Sequence, residues 1–303
     1  MTVAFDQRIM TVTISTTLPL PAGQQGPTQE DTLVFTSTGP NPGLDIRAHG
    51  RQFVGTTMGE AVIRITNMTR EQRNALLTRA TPIIPVNGNR NPTYVTLDVG
   101  RESYGTFRLF EGACWASAVT AAPDMGVVLT SLTNSILAST VLAQTEGLLT
   151  SVSDIVRKIC SLYGWTPRIQ LGNPDRQISN FQFTGGAQLA IQKLADIGDL
   201  TVFLNNNVLT VIDKGAYIGP PAPISLQNGM VGIPQANEWG VEVRTLVRPD
   251  IQLGGAIGIT SQTNPSVNGT WTIYQLEYDV TNRDDPFWYT VFGKNSLISA
   301  GGA

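Results

Sequence analysis

The first 120 residues alternate apolar and polar positions with the period of two that is typical of β-strands. β-Branched and aromatic residues, which favour strands, are frequent in these segments. The predicted strands cover residues 10–15, 32–37, 61–67, 93–99 and 107–117. One helix is expected among them, because Thr69 and Gln72 have the spacing of a capping box. Strands with a single helix predict a β-barrel or β-sandwich domain over residues 1–120.

The middle of the chain changes to a helical period. Ser151 and Asp154 have capping spacing, an apolar stripe follows, and Gly164 marks the end of that helix. A second helix is predicted over residues 187–198, and residues 201–213 are predicted to form a hairpin with an asparagine-rich turn. Two helices and a hairpin predict a small α+β domain over residues 121–218.

The last part of the chain returns to strand patterns. Residues 217–229 are rich in proline and glycine and are interpreted as a linker. A β-meander is predicted from residue 230 onward, and Asn268-Gly269 is a strong hairpin dipeptide. The predicted fold class is therefore α+β and mainly β. Two barrel or sandwich domains, at 1–120 and 219–303, flank the small α+β domain.

The segment 269–294 contains two predicted strands that are apolar on parts of both faces. In the first strand one face is apolar, and it consists of Thr272, Tyr274, Leu276, Tyr278 and Val280. The other face begins with Trp271 and Ile273 and becomes polar at Gln275, Glu277 and Asp279. The second strand carries aromatic residues on both faces. A sheet with one solvated face needs apolar residues only at alternate positions, so we expect a partner or another domain to cover part of the second face.

Composition narrows the class of protein. The 303 residues are 41% hydrophobic and 14% charged, and the net charge is −3. These values indicate a folded protein and argue against nucleic-acid binding as its main function. Neither a signal-peptide pattern nor an apolar run of membrane-spanning length is evident, so we expect a soluble protein made in a cytoplasm. Cys114 and Cys160 lack metal-site spacing and are expected to be buried free thiols.

The sequence offers little support for catalysis. His49 is the single histidine, so a catalytic triad or a histidine-ligated metal would have to use it. Asp284-Asp285 fits a turn, and the run GGAIG at 254–258 lacks the order of a dinucleotide-binding loop. We therefore expect no enzyme activity, no metal and no cofactor. Residues 150–164 have some features of a LysM peptidoglycan-binding repeat, but residues 166–177 do not supply the second helix that this module needs.

Three groups of motifs, in order, resemble the hub proteins of phage tails. "AVIRITNMTREQRNALLTR" and "YVTLDVGRESYGTFRLFEGACWAS" resemble the first hub domain. "SVSDIVRKICSLYGW", "FQFTGGAQLAIQKLADIG" and "NNVLTVID" resemble the small middle domain. "GMVGIPQANEWGVEVRTLVRPDIQLGGAIGITS" and "NGTWTIYQLEYDVTNRDDPFWYTVFGK" resemble the closing domain. The resemblance covers most of the chain, and no catalytic residue accompanies it.

The resemblance implies a non-enzymatic baseplate hub of a tailed, contractile phage, with two tail-tube-like β domains in each chain. A homotrimer would then match a six-fold tube on one side and a three-fold spike on the other. The implied partners are the tail tube or its initiator, a separate spike protein and baseplate wedge proteins. The implied location is the virion baseplate, after assembly in the host cytoplasm.

The resemblance also gives the aromatic and polar residues of the closing domain a role. The candidate interface residues are Trp239, Trp271, Phe287 and Trp288. Gln275, Glu277 and Asp279 are candidates for an acidic face that lines the channel and does not hold DNA. Two alternatives remain: a peptidoglycan-binding accessory tail protein, and the hub of a related bacterial injection system.

Overall fold

The structure is a computed structural model, and it describes residues 6–18, 29–38, 43–80, 93–133, 142–145, 147, 149–172 and 175–295. The described residues of the first β region form seven strands and one helix. Its strands are β1 (Arg8–Leu18), β2 (Gln29–Thr36), β3 (Asp45–Phe53), β4 (Glu60–Thr66), β5 (Thr93–Arg101), β6 (Gly105–Val119) and β7 (Gly126–Leu132). The helix α1 (Arg70–Arg79) begins at the predicted capping box, in which the Thr69 hydroxyl accepts a hydrogen bond from the Gln72 amide.

The middle region contains two helices and short strands. Its elements are β8 (Leu142–Thr145), β9 (Thr150–Ser151), α2 (Val152–Tyr163), β10 (Thr166–Gln170), β11 (Gln177–Ile178), β12 (Gln182–Gly185), α3 (Ala187–Gly198), β13 (Leu200–Asn205) and β14 (Val208–Asp213). The Ser151 hydroxyl caps α2, and Gly164 ends it in the left-handed conformation. Asn206 and Asn207 have positive φ in the turn between β13 and β14. These three local predictions are confirmed.

The closing β region contains six strands. They are β15 (Ile218–Ile224), β16 (Met230–Asn237), β17 (Gly240–Leu246), β18 (Gly255–Ile259), β19 (Gly269–Thr281) and β20 (Phe287–Asn295). Two short 3₁₀ helices lie at Leu226–Asn228 and Pro265–Val267.

The two β regions form one continuous sheet of 13 strands. Its main order is β16-β17-β20-β19-β3-β4-β7-β6-β5-β1-β2, and β18 joins β19 to β15. The junction between the regions is the antiparallel pair β3–β19, which runs from Gln275 opposite Phe53 to Thr281 opposite Arg47. The mainly β, α+β fold class is therefore confirmed.

Two hydrophobic cores stabilise the molecule. The larger core takes residues from both β regions, including Val12, Ile63, Leu97, Tyr278 and Tyr289. The smaller core lies in the middle region, where α2 and α3 pack with β13 and β14. Burial of this much apolar side-chain area is the main force that holds such a fold together.

Two segments differ from their predicted structure. The predicted linker at 217–229 contains β15, which pairs with β18 in parallel and has a register shift between Ile218 and Ala222. The sheet of the first region also extends past residue 120, because β7 pairs with both β4 and β6. The division into three domains at residues 120 and 218 stays a prediction.

Candidate interaction surface

One face of the large sheet carries the core, and the opposite face, here called the outer face, is mostly polar. A single row of directly paired residues crosses the outer face over eleven strands, from one edge of the sheet to the other. The row is Thr32, Ser15, Tyr94, Ala113, Leu132, Glu60, Arg51, Glu277, Thr290, Arg244 and Val231. The first five members are uncharged, whereas charged residues dominate from Glu60 onward.

The charged part of the outer face, here called the charged sector, lies on β17, β19, β3 and β4. Its arginines are Arg47, Arg51, Arg64 and Arg244, and its carboxylates are Asp45, Glu60, Glu242, Glu277 and Asp279. Gln275, Glu277 and Asp279 all face this side, as the alternation predicted. The neighbouring strands supply arginines opposite and beside these residues, so the face carries charges of both signs. Its role as an acidic channel lining stays a prediction.

Ion pairs connect the strands of the charged sector. Arg51 lies 3.2 Å from Glu60 on β4 and directly opposite Glu277 on β19. Arg47 lies 3.2 Å from Asp45 and 2.5 Å from Asp284 in the β19–β20 turn. The hydrogen bond to Asp45, with smaller contributions from Asp284, raises the pKa of Arg47 above its ordinary value.

A concavity of about 470 Å³ opens within the charged sector. Its lining includes His49, Arg51, Glu60, Arg244, Glu277, Asp279 and Trp288. The Arg244 guanidinium lies 5.0 Å from the centroid of the Trp288 ring, and Trp288 is the cross-strand partner of Asp279. Desolvation raises the pKa of the Asp279 carboxyl, whereas His49 and Arg244 act in the opposite direction.

A β-bulge on β19 explains its pattern of faces. The register against β20 shifts between Ile273 and Gln275, so Tyr274 is the extra residue. Ile273 consequently belongs to the same core as Leu276 and Tyr278, although strict alternation placed it on the opposite face. Tyr274 instead contacts Phe292, with the ring centroids 6.4 Å apart.

The four predicted interface residues lie in different environments. Trp239 is 72% exposed at the turn between β16 and β17. Trp271 packs against the large core, and its indole N–H donates to the Val267 carbonyl at 2.9 Å. Trp288 lies on the outer face beside Asp279.

Phe287 is the exception among these four, because its side chain is only 1% exposed and packs in the large core. The guanidinium groups of Arg8 and Arg101 each lie 5.1 Å from the centroid of its ring. A partner protein could not reach this side chain in the described conformation. Phe287 therefore connects the N-terminal strands to the β19–β20 hairpin.

Other exposed apolar side chains were not identified from the sequence. Trp115 is 51% exposed at a bulge in β6, between Cys114 and Ala116. Leu226 and Ile233 are 65% and 62% exposed near the edge strand β16. Trp115 and Ile233 lie within strands, where the sequence carries no signal that separates them from core residues, and Leu226 lies in the segment interpreted as a linker.

A cluster of side chains suited to a metal ion is absent from the described residues. Among them, no group of three or more histidine, cysteine, aspartate or glutamate side chains could hold a metal ion. Cys114 and Cys160 are buried free thiols, as predicted. No helix in the described part of the chain is long and apolar enough to cross a membrane.

Solved structures with similar architecture include phage tail proteins and a type VI secretion component. The chain aligns with the 43 kDa tail protein of prophage MuSo2 from Shewanella oneidensis at a TM-score of 0.57 and 8% identity, covering 94% of this chain and 97% of that one. A tail protein from Neisseria meningitidis MC58 gives a TM-score of 0.54 at 9% identity, covering 94% and 96%. The c3393 protein of E. coli gives a TM-score of 0.54 at 11% identity, covering 84% of this chain and 74% of that one. That protein is a type VI secretion component described as similar to the phage T4 tail proteins gp27 and gp5.

These similarities define the class: the chain has a phage-tail-protein fold. The sequence profile of the baseplate hub gp41 family matches residues 32–293, and the chain therefore belongs to that family. The resemblance to phage tail hubs is confirmed. No curated protein matches the chain by sequence.

Proposed function

We propose that the chain is a structural subunit of a phage baseplate hub and that three copies form a ring around the tail channel. In this proposal the outer faces of the three sheets line the channel, and Gln275, Glu277 and Asp279 face its lumen. The ring would adapt a six-fold tail tube to a three-fold spike, and DNA or the tape-measure protein would later pass through it. Contacts with baseplate wedge proteins would hold the ring in the virion.

The observation that carries this proposal is the continuous sheet. Because β3 and β19 pair directly, one chain presents two β regions side by side with a single polar face. Two such regions in each of three chains would give the six similar units that a six-fold tube requires. Membership of the baseplate hub family and the fold of known tail proteins support the same role.

A non-enzymatic role is part of the proposal. The charged sector contains carboxylates, but ion pairs and cross-strand arginines occupy the neighbourhood of Glu60, Glu277 and Asp45. A carboxylate pair for hydrolysis needs one group kept protonated and one ionised around an open cleft. Peptidoglycan hydrolysis measured on the wild-type chain and on Glu277→Gln is the direct check, and activity that the substitution abolishes would overturn this part.

The main test is the mass of the purified chain by light scattering, alone and with its neighbouring tail proteins. The expected result is a species near three times the 32.6 kDa chain mass, and a ring in negative-stain images. A monomer under both conditions would overturn the ring.

Peptidoglycan binding is the alternative function that the LysM-like features of residues 150–164 suggested. In the structure, Tyr163 and Trp165 stack at 4.5 Å between ring centroids, but they are only 8% and 4% exposed. A sugar ring could not stack on rings that are buried in this way, and the strand β10 follows α2 directly. A pull-down with purified peptidoglycan separates this alternative from the hub proposal, since only a wall-binding protein would be retained.

A further inference from the structure

A cavity of about 220 Å³ lies between the middle region and the core face of the large sheet. One wall is the small sheet β10-β14-β13, where Arg168, Thr210 and Phe203 are direct cross-strand neighbours and all line the cavity. The facing wall includes Leu276 and Tyr289, which belong to the large core. The cavity therefore lies on the opposite side of the large sheet from the charged sector and is separate from it.

Two buried hydroxyl groups line this cavity. Tyr289 is 1% exposed and Thr210 is 4% exposed. Neither hydroxyl has a hydrogen-bond partner among the described residues. A buried polar group that has lost its bonds to water and gained none in the protein is costly, so such groups normally bond to something. The partner of these two hydroxyl groups has to lie inside the cavity.

The rest of the lining is fixed in place and mostly apolar. Gln52 is 3% exposed, and its Nε2 donates to the Leu109 carbonyl at 2.8 Å while its Oε1 accepts from Asn205 Nδ2 at 3.3 Å. The apolar part of the lining includes Phe107, Phe203, Ile251, Leu253 and Leu276. Apolar walls with a few fixed polar groups are typical of sites that bind small ligands.

The charge at the rim of the cavity favours an anion. Two arginines lie there, and Arg108 is neutralised, because its Nε lies 2.6 Å from Asp98 and its Nη1 lies 2.9 Å from Glu111. Arg168 donates to the amide oxygen of Gln252 at 3.0 Å and forms no ion pair with any residue that the structure describes. A guanidinium group has further N–H donors in the fork geometry that matches a carboxylate.

We propose that this cavity binds a carboxylate carried on a short apolar stem. Arg168 and the hydroxyl groups of Thr210 and Tyr289 hold the carboxylate, and the apolar walls hold the stem. A small organic acid and the C-terminal residue of a partner polypeptide both offer this chemistry. The bound acid would connect the middle region to the large sheet. The proposal concerns a single chain and does not depend on the formation of a ring.

The test is fluorine NMR of para-fluorobenzoate titrated with the full chain, with neutral para-fluorobenzamide as the control ligand. Binding should shift and broaden the signal of the acid but leave that of the amide unchanged. Arg168→Gln should weaken binding about tenfold or more, because it removes a charged hydrogen bond. Tyr289→Phe and Thr210→Val should also weaken it. No binding of the acid, equal binding of the amide, or full affinity in Arg168→Gln would overturn the proposal.

Arg157→Gln is the matched control variant. It also removes one arginine, but from an exposed position on α2 outside the cavity. This variant should bind para-fluorobenzoate like the wild type, and an equal loss of affinity would overturn the proposal, because binding would then follow total charge. Thermal melting verifies that each variant is folded.

A competition experiment distinguishes the two sources of the carboxylate. A tripeptide that ends in phenylalanine with a free carboxylate is added to the complex of the chain with para-fluorobenzoate. Displacement of the probe, together with no displacement by the C-terminally amidated tripeptide, assigns the site to the end of a polypeptide. Retention of the probe at saturating tripeptide assigns the site to small organic acids.

Discussion

Tyr278 and Gly50 face each other across the junction of β3 with β19, and the tyrosine side chain fills the space that a side chain at residue 50 would need. A Cβ atom at Gly50 would overlap both the Tyr278 hydroxyl group and the Glu60 carbonyl oxygen. Tyr278 itself is 2% exposed and belongs to the large core. The junction of the two β regions therefore depends on a large aromatic side chain beside a residue without one.

The first prediction concerns this junction. Gly50→Ala should lower the free energy of unfolding by about 1–3 kcal/mol or more, because a backbone oxygen cannot move away from the new methyl group without disturbing the ladder. Gly43→Ala is the matched control, since nothing lies within 4 Å of the corresponding Cβ position. Urea unfolding of both variants measures the difference. Equal stability of the two variants would contradict the close packing at Gly50.

The sequence predicted elements that have local causes. The capping box at Thr69, the serine cap at Ser151, the glycine end at Gly164 and the asparagine turn at 205–207 all involve residues that are near each other in the chain. The β3–β19 junction is different, because Ile46 and Asn282 are 236 positions apart when they hydrogen-bond. No local pattern encodes which distant strand will be the neighbour.

The strand β15 was interpreted as part of a linker because of its proline content. It contains Pro220, Pro221 and Pro223, which cannot donate backbone hydrogen bonds and which usually indicate a loop. The chain accommodates them because β15 has one described neighbour, β18, and because the ladder is interrupted between Ile218 and Ala222. Tertiary pairing here overrides the local preference for a linker.

The sequence predicted which residues of β19 share the outer face, but it did not predict the charges that neighbouring strands add to that face. Alternation correctly placed Gln275, Glu277 and Asp279 on one face, but it could not show that Arg51 and Arg244 would lie opposite and beside them. Those arginines come from strands whose pairing depends on the long-range topology. The electrostatic character of a sheet face is therefore a property of several strands, and a single strand is insufficient to predict it.

The second prediction concerns alkaline pH. Burial raises the pKa of Tyr104 to about 12 and that of Cys160 to about 11, and it raises the pKa values of Tyr278 and Tyr289 well above the ordinary 10.0. The unfolded chain loses these protons at lower pH than the folded chain does. Rising pH therefore stabilises the unfolded state relative to the folded state. The free energy of unfolding should therefore be unaffected near neutral pH and fall as pH rises above about 9 to 10.

Tyr278→Phe is the variant that tests this pH dependence. The Tyr278 hydroxyl makes only a long contact of 3.5 Å to the Glu60 carbonyl oxygen, so the substitution should change stability little at neutral pH. Urea unfolding at neutral and alkaline pH should show that the free energy of unfolding falls less in the variant than in the wild type. An identical loss in both proteins would show that Tyr278 is not one of the groups responsible.

The third prediction concerns how the middle region contacts the large sheet. A bulge between Leu97 and Asp98 disturbs the β5–β6 ladder. The Asn206 side chain, in the β13–β14 turn, forms hydrogen bonds with the backbone of β6 near this bulge. The Asn206 side-chain Oδ1 accepts a hydrogen bond from the Glu111 backbone N–H at 2.9 Å, and the side-chain Nδ2 donates to the Leu109 backbone carbonyl at 3.2 Å. Asn206→Gly keeps the left-handed turn but removes these bonds, so it should cost about 1–2 kcal/mol.

Hydrogen exchange at the Glu111 amide is the specific measurement for that variant, and exchange should become faster. Asn207→Gly is the control, because Asn207 also has positive φ but its side chain bonds Gly164 within the middle region. The control should leave the Glu111 amide protected. Equal acceleration in both variants would mean that the turn as a whole, rather than the Asn206 side chain, holds the contact.

The fourth prediction uses three tryptophans to separate folding from assembly. Trp271→Ala should lower the free energy of unfolding by about 3 kcal/mol, because the ring packs on the large core and its N–H bonds Val267. Trp239→Ala should change stability by less than about 0.5 kcal/mol, because the ring is 72% exposed. If Trp239 is an interface residue, its substitution should reduce the trimer in light scattering while the monomer stays folded.

Trp288 distinguishes a channel wall from a subunit interface. Its loss removes the contact with Arg244, worth about 0.5–1 kcal/mol, from the charged sector. If the outer face lines the channel, Trp288→Ala should assemble like the wild type, because a ring residue that faces the lumen touches no other subunit. A folded Trp288→Ala chain that no longer assembles would instead place this part of the outer face between subunits, and the channel would then have to be lined by another surface of the chain.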